Sequence, residues 1–170
     1  MISKKLQDSF NLQINKELFS EYLYLSIAAY CFEQELDGFA NFFMVQTQEE
    51  HFHAMKMFNF VTDRGGRVIL KPIEGPETEF KSVTEVFEKT LVHEQFITKS
   101  INELMDLSLK ENDHAAASFL KWFVDEQVEE EANVTKILSK LKLIKGEGQG
   151  LLMIDSELAT RVFTPPAAGA

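Results

Sequence analysis

At 170 residues, 45% of them apolar, the chain suits one domain with a single core and is too short for two of ordinary size. Its 17 Lys and Arg against 27 Asp and Glu leave a net charge of −10, which excludes a phosphate-neutralising surface and with it nucleic acid as a partner. The single cysteine, Cys31, excludes an intrachain disulfide framework, a CxxC pair and an all-thiolate metal site and fits a cytoplasmic location, and no apolar run approaches the roughly eighteen residues of a membrane span.

Helix breakers fall into a few clusters. Residues 4–36, 39–64 and 80–145 contain neither Pro nor Gly, and their apolar residues recur at intervals of three and four, the helical period. The spacing predicts helices over about 5–35, 39–64, 80–110 and 113–144, the last two separated by the polar run Glu111-Asn112-Asp113-His114, and a short helix over about 151–162. Connections of about three residues make the first and second helices one antiparallel hairpin and the third and fourth another. Between the hairpins, Gly65 to Glu79 holds Gly65-Gly66, Pro72 and Gly75-Pro76. Fully extended, this linker reaches roughly 50 Å, enough to cross a bundle about 42 Å long. The expected fold is all-α: a ferritin-like four-helix bundle with one long crossover between helices two and three and a short fifth helix. One domain over 1–163 and a flexible tail over 164–170 complete the expectation, the tail ending Thr-Pro-Pro-Ala-Ala-Gly-Ala.

Each long helix carries acidic groups on its apolar seam. The second reads Phe43, Thr47, Glu50, Ala54, Met57, Val61; the third reads Val83, Phe87, Thr90, Glu94, Ile97, Ile101, Leu104. The fourth, Ala116, Leu120, Phe123, Gln127, Glu130, Val134, places two polar residues side by side. On the first, Phe10, Ile14, Glu17, Glu21, Tyr24, Ala28, both Glu17 and Glu21 lie near the seam, and position alone favours Glu17 only weakly. A lone glutamate on such a seam is ordinarily a snorkelling surface residue, but Glu17, Glu50, Glu94 and the Gln127–Glu130 pair all lie near the midpoints of their helices. Burying them together requires cations or protons, and the seams hold no Lys or Arg. His53, one turn after Glu50, adds a nitrogen. Oxygen-rich ligands with one nitrogen suit iron or manganese.

The set Glu17, Tyr24, Glu49-Glu50-x-x-His53, Glu94 and Glu126-Gln127-x-x-Glu130 resembles the non-haem ferritins of bacteria and archaea over nearly the whole chain. The resemblance implies that Glu17, Glu50 and His53 hold one iron, that Glu50, Glu94 and Glu130 hold a second, and that Glu50 bridges them. It places Gln127 beside the second iron, Tyr24 next to the pair in support of oxygen chemistry, and a third iron site on Glu49, Glu126, Glu129 and Glu130. Bacterioferritins carry a second Glu-x-x-His where this chain has Gln127-x-x-Glu130, so the site is expected to be asymmetric. They also place a haem-ligating methionine where this chain has His51, and no haem is expected. Cys31, on a seam, reads as a small core residue.

The implied activity is that of a ferroxidase, oxidising Fe2+ with dioxygen or peroxide and storing Fe3+ oxide inside a hollow homo-oligomeric shell of 24 subunits. The short last helix, with Leu151, Leu152, Ile154, Leu158 and Val162, is apolar enough to need a partner in that assembly. Two other functions compete with it. A storage shell without fast oxidation predicts loss of the dinuclear ligands, which are all here; a rubrerythrin-like peroxide reductase needs paired CxxC motifs that one cysteine cannot supply.

Overall fold

The computed structural model describes residues 1–165, so the tail expected over 164–170 lies mostly outside the described residues. Five helices follow in order: α1 Lys4–Glu33, α2 Asp37–Asp63, α3 Val83–Lys110, α4 His114–Leu143 and α5 Gln149–Leu158. There is no strand among the described residues. α1 packs along α2, α3 along α4, α1 also meets α3, and α5 lies on α2. No helix among the described residues is long and apolar enough to cross a membrane.

Side-chain caps set the helix starts. Ser3 accepts from the Leu6 N–H, Ser82 from Glu85 and Asp113 from Ala116, each satisfying a donor that the first turn leaves unpaired. The Ser82 cap starts α3 at Val83 rather than near residue 80, and leaves Phe80 in the linker with its ring 5.2 Å from that of Tyr30. At the C-termini one device recurs: the N–H groups of Leu36, Gly66, Asp113 and Gly146 bond back to the carbonyls of Cys31, Val61, Ser108 and Leu141. The turn needs a left-handed residue, supplied by Gly65 after α2 but by Glu35, Asn112 and Lys145 elsewhere.

The crossover from Arg64 to Ser82 runs along α1, held by a polar ladder on one helix face. Gln7 accepts from the Arg67 N–H, Asn11 donates to the Arg67 carbonyl, Asn15 accepts from the Lys71 N–H and Ser26 donates to the Glu77 carbonyl. The crossover therefore begins at the Gln7 end of α1 and finishes near Ser26, carrying α3 back to start beside the α1–α2 turn.

α5 is shorter than the sequence periodicity suggested. It ends at Leu158 and buries Ile154 and Leu158, while Val162 falls beyond it and is exposed. Its contact with α2 is close at Gly38, where an added Cβ would lie 1.7 Å from the Asp155 carbonyl oxygen, and the Asp155 carboxylate accepts from the Phe39 N–H at 3.0 Å.

Candidate metal centre

The apolar interior divides into two clusters along the bundle. One takes Leu6 to Ile14, Met57 and Val61, Ile97 to Leu104 and Ala116 to Phe123; the other takes Tyr24 to Cys31, Leu36 to Phe43, Val83 to Phe87 and Val134 to Leu141, with Ile154 and Leu158. Between them lies a polar layer to which every long helix contributes. Glu17 of α1, Glu50 and His53 of α2, Glu94 of α3, and Gln127 and Glu130 of α4 are all buried. The ambiguity in α1 is thereby resolved: Glu21 stays partly exposed and meets the exposed His51 at 3.2 Å, away from the layer.

One oxygen or nitrogen from each of Glu17, Glu50 and His53 falls within 4.8 Å of the others, and no second group of three such ligands is as close among the described residues. Oε2 of Glu17 and Oε2 of Glu50 are buried without a hydrogen-bond donor. Buried acceptors left unpaired in this way point to a missing electrophile. Nδ1 of His53 lies 3.4 Å from Glu50 Oε2, and burial pulls the imidazole pKa down to about 3, so the ring is neutral with a lone pair free for a metal. Trp122 and Phe123 wall it in at centroid distances of 5.5 and 5.8 Å.

The other carboxylates are better satisfied. Glu94 accepts from the Tyr24 hydroxyl on one oxygen and from Gln127 Nε2 at 3.2 Å on the other, while Glu130 accepts from Gln46 Nε2 at 2.9 Å. Burial is the main cause of raised carboxyl pKa values throughout the layer: Glu17 and Glu130 rise, Glu94 rises to about 8, and Glu50 goes well above its ordinary value with Glu94, Glu17 and Glu130 adding to the effect. Without metal, protons compensate the layer; a divalent cation would replace them. Tyr24 is held neutral by burial and by the Glu94 charge, which together lift its pKa well above the usual phenol value.

The remaining acidic residues sit differently. Glu49 and Glu126 line the α2–α4 side, each raised to about 7 chiefly by burial, whereas Glu129 is exposed. A protein cation reaches this side: Arg161, beyond α5, lies 2.7 Å from Glu49 Oε2 and also donates to Gln46. The absence of Lys and Arg from the helical seams therefore did not exclude a fixed positive charge near Glu49. Cys31 is buried and its thiol is pushed up to about 12, as suits an inert core residue.

Sequence reasoning passed over Gln13, Gln46 and Arg161. Gln13 donates to Glu17 Oε1 at 2.8 Å and accepts from Ser100, which in turn accepts from Lys16, so a polar chain runs from Glu17 to the α1–α3 face. Gln13 and Gln46 each precede a candidate ligand glutamate by four residues on the same helix face, a spacing visible in the sequence. A hollow of about 630 Å3 on the α1–α3 side, lined by Phe19, Leu23, Phe80, His93 and Phe96 among others, contains none of these carboxylates.

Comparison with known proteins agrees with this arrangement. The ferritin family, described as a ferritin-like domain, matches residues 7–144. A bacterial non-heme ferritin of Staphylococcus aureus (strain MRSA252) is 39% identical over 163 residues, covering 96% of this chain and 98% of its own. Among solved structures, the open-pore ferritin of the hyperthermophilic archaeon Archaeoglobus fulgidus is 48% identical with a TM-score of 0.93, over 95% of this chain and 100% of its own. A closed form of the Archaeoglobus fulgidus ferritin, engineered by site-directed mutagenesis, is also 48% identical with a TM-score of 0.95, over 96% and 100% of the two chains. With five helices in this order, a carboxylate layer at mid-bundle and relatives that match from end to end, the chain belongs to the ferritin family.

Proposed function

We propose that the protein stores iron and oxidises it on entry, taking Fe2+ as substrate at a dinuclear site within each subunit. Glu17, Glu50 and His53 hold the first ion, and Glu94 and Glu130 hold the second with Glu50 between the two. The observation that carries this reading is the pair of unpartnered buried oxygens on Glu17 and Glu50, facing a neutral imidazole. Each Fe2+ gives up one electron, so a pair reduces one dioxygen to peroxide with uptake of two protons, and no protein redox group is needed. The carboxylates neutralise the ions and hold them close together. Tyr24, whose hydroxyl donates to Glu94, fixes that carboxylate, and Gln127 does the same from the opposite oxygen. The Fe3+ formed is stored as oxide.

Residues 1–163 form the functional unit, and copies of the chain assemble into a shell of 24 subunits in the cytoplasm. Supporting this are exposed apolar side chains that one chain leaves uncovered: Tyr22, Leu25 and Phe32 on α1, and Leu152 and Met153 on α5. The acidic excess steers Fe2+ to the shell, and the third metal position on Glu49, Glu126, Glu129 and Glu130 lies on the route away from the pair.

Anaerobic addition of two Fe2+ per chain followed by oxygen tests the reading. A fast oxidation phase is expected in the wild type and a slow one in Glu50→Ala and His53→Ala. Absence of the fast phase from the wild type, or its survival in both variants, refutes the ferroxidase assignment.

A further inference from the structure

The residues beyond α5 are tied to the metal layer through a chain of polar contacts that the ferroxidase reading does not use. Arg161 spans two side chains of α2, donating one guanidinium nitrogen to Gln46 Oε1 and the other to Glu49 Oε2, and its carbon centre stacks 4.4 Å above the Phe42 ring. Gln46 passes the contact inward by donating to Glu130. The backbone of the same segment is pinned by Asn41, which donates to the carbonyls of Leu158 and Arg161 at 3.0 and 2.9 Å, and Phe163 packs on Phe52 with centroids 6.3 Å apart. Asn41, Phe42, Gln46, Glu49 and Phe52 follow one another along one face of α2, so residues 159–163 form a strap over the α2–α4 side of the layer.

Two features suit this strap to opening. Its anchor is partly solvent-exposed, with the Arg161 and Glu49 side chains 23% and 20% accessible, whereas Glu130 just beneath is 3% accessible. A cavity of about 260 Å3 lies between the strap and α4, lined by Phe42, Asn133, Lys136, Ile137 and Arg161 among others, and gives the guanidinium somewhere to move. Two other polar chains lead out of the layer among the described contacts, Gln13–Ser100–Lys16 on the α1–α3 side and Gln127–Thr98–Glu131 on the α3–α4 side, and neither is covered by the strap.

We propose that Arg161 latches the strap over the α2–α4 mouth of the carboxylate site and that metal leaves the site through this mouth when the latch opens. The latch acts on passage rather than on coordination by the pair: Arg161 bonds to none of Glu17, Glu50, Glu94 and Glu130, its carboxylate contact being Glu49 of the third position, so removing it changes exchange rates of the pair more than affinity. This inference rests on the reading of the layer as a metal site.

Release of Zn2+, a redox-inert probe, tests it. The assembled protein is loaded with two Zn2+ per chain and mixed rapidly with excess chelator. Arg161→Ala is expected to release metal about tenfold faster than wild type, the equivalent of one charge-assisted hydrogen bond. Arg161→Lys, which keeps the charge but not the fork, falls between the two. Asn41→Ala removes the bonds to the Leu158 and Arg161 carbonyls without touching the Arg161 guanidinium or any carboxylate, and is expected to speed release as well, with faster amide exchange over residues 159–163 in both alanine variants. Lys16→Ala, on the opposite face, leaves the rate unchanged. Release rates within twofold of wild type in Arg161→Ala and Asn41→Ala despite faster strap exchange, or acceleration by Lys16→Ala alone, overturn the proposal. Failure of the wild type to hold two Zn2+ refutes the metal-site reading instead, so the two failures are distinguishable.

Discussion

Replacing Glu94 by Gln isolates the electrostatic strain of the metal-free layer. Glu94 is fully buried, its two oxygens accept from Tyr24 and Gln127, and its pKa rises from 4.5 to about 8, first through burial and then through the Glu130 charge. Because the folded-state value exceeds the unfolded one, the unfolded chain releases this proton first as pH rises. The group is neutral in both states below about pH 4.5, destabilises the fold progressively between about 4.5 and 8, and adds no further penalty above that. Each pH unit in the window is worth about 1.4 kcal/mol, so the interval from pH 5 to 8 amounts to roughly 4 kcal/mol, shared in practice with the coupled carboxyls. An uncharged amide does not titrate. Chelator-treated Glu94→Gln should therefore gain on the wild type as pH rises, the gap in denaturant midpoint being small at pH 5 and largest at pH 8. Divalent metal should abolish the wild-type decline, since the cation takes over from the protons. A gap that stays constant across pH 5 to 8 would refute the argument that protons compensate the apo layer.

Other positions give independent checks on the scaffold. Gly38→Ala sets a methyl 1.7 Å from the Asp155 carbonyl oxygen, so α5 should undock, visible as fast amide exchange over 149–158; protected amides there would contradict the packing. Glu35→Gly relieves a left-handed glutamate in the α1–α2 turn (φ 57°) and should stabilise by about 0.5–1 kcal/mol in denaturant unfolding, whereas a loss would show the turn is not strained. Asp113→Ala removes both the α4 cap and the two-pronged bond to Arg64, at 2.8 and 3.1 Å, and should cost about 2 kcal/mol by the same assay.

Most of the bundle is legible in the sequence because helical periodicity and breaker clusters are local signals. The helix ends shift by a few residues where a side chain decides them, as Ser82 does for α3. The buried layer was legible for a related reason: Glu50, Glu94 and Glu130 interrupt seams that are otherwise apolar, and position along each helix predicts that they share a depth. Between Glu17 and Glu21, which both lie near the seam of α1, position favours Glu17 only weakly and the resemblance carries the choice; in the structure Glu17 is buried and Glu21 is partly exposed. Arg161 was invisible because its contacts lie 112 and 115 residues away in sequence, and because the periodicity extended α5 through it. Asp155 capping the start of α2 escaped notice for the same reason. The asparagines at 11 and 15 carry a helical spacing, but only the crossover's path explains it.

The proposed dinuclear site is asymmetric in its hydrogen bonds as well as in its donor set. On the His53 side, Glu17 and Glu50 each keep a buried oxygen without a donor, so their lone pairs are available. On the other side, Tyr24 and Gln127 donate to Glu94 and Gln46 donates to Glu130, each withdrawing electron density from an oxygen that would bind metal. Gln127 offers an amide hydrogen where an imidazole nitrogen would offer a lone pair. The second ion should therefore bind more weakly than the first, and Gln127→His should narrow the difference by supplying a ligand nitrogen while removing one donor from Glu94. A gain of about tenfold in the weaker of two Zn2+ dissociation constants is expected by calorimetric titration, the scale on which groups around a metal act. The tighter constant, set by Glu17, Glu50 and His53, should stay put. Equal loss of both sites in Gln127→His would mean that Gln127 holds the bundle together rather than setting the balance between two metals.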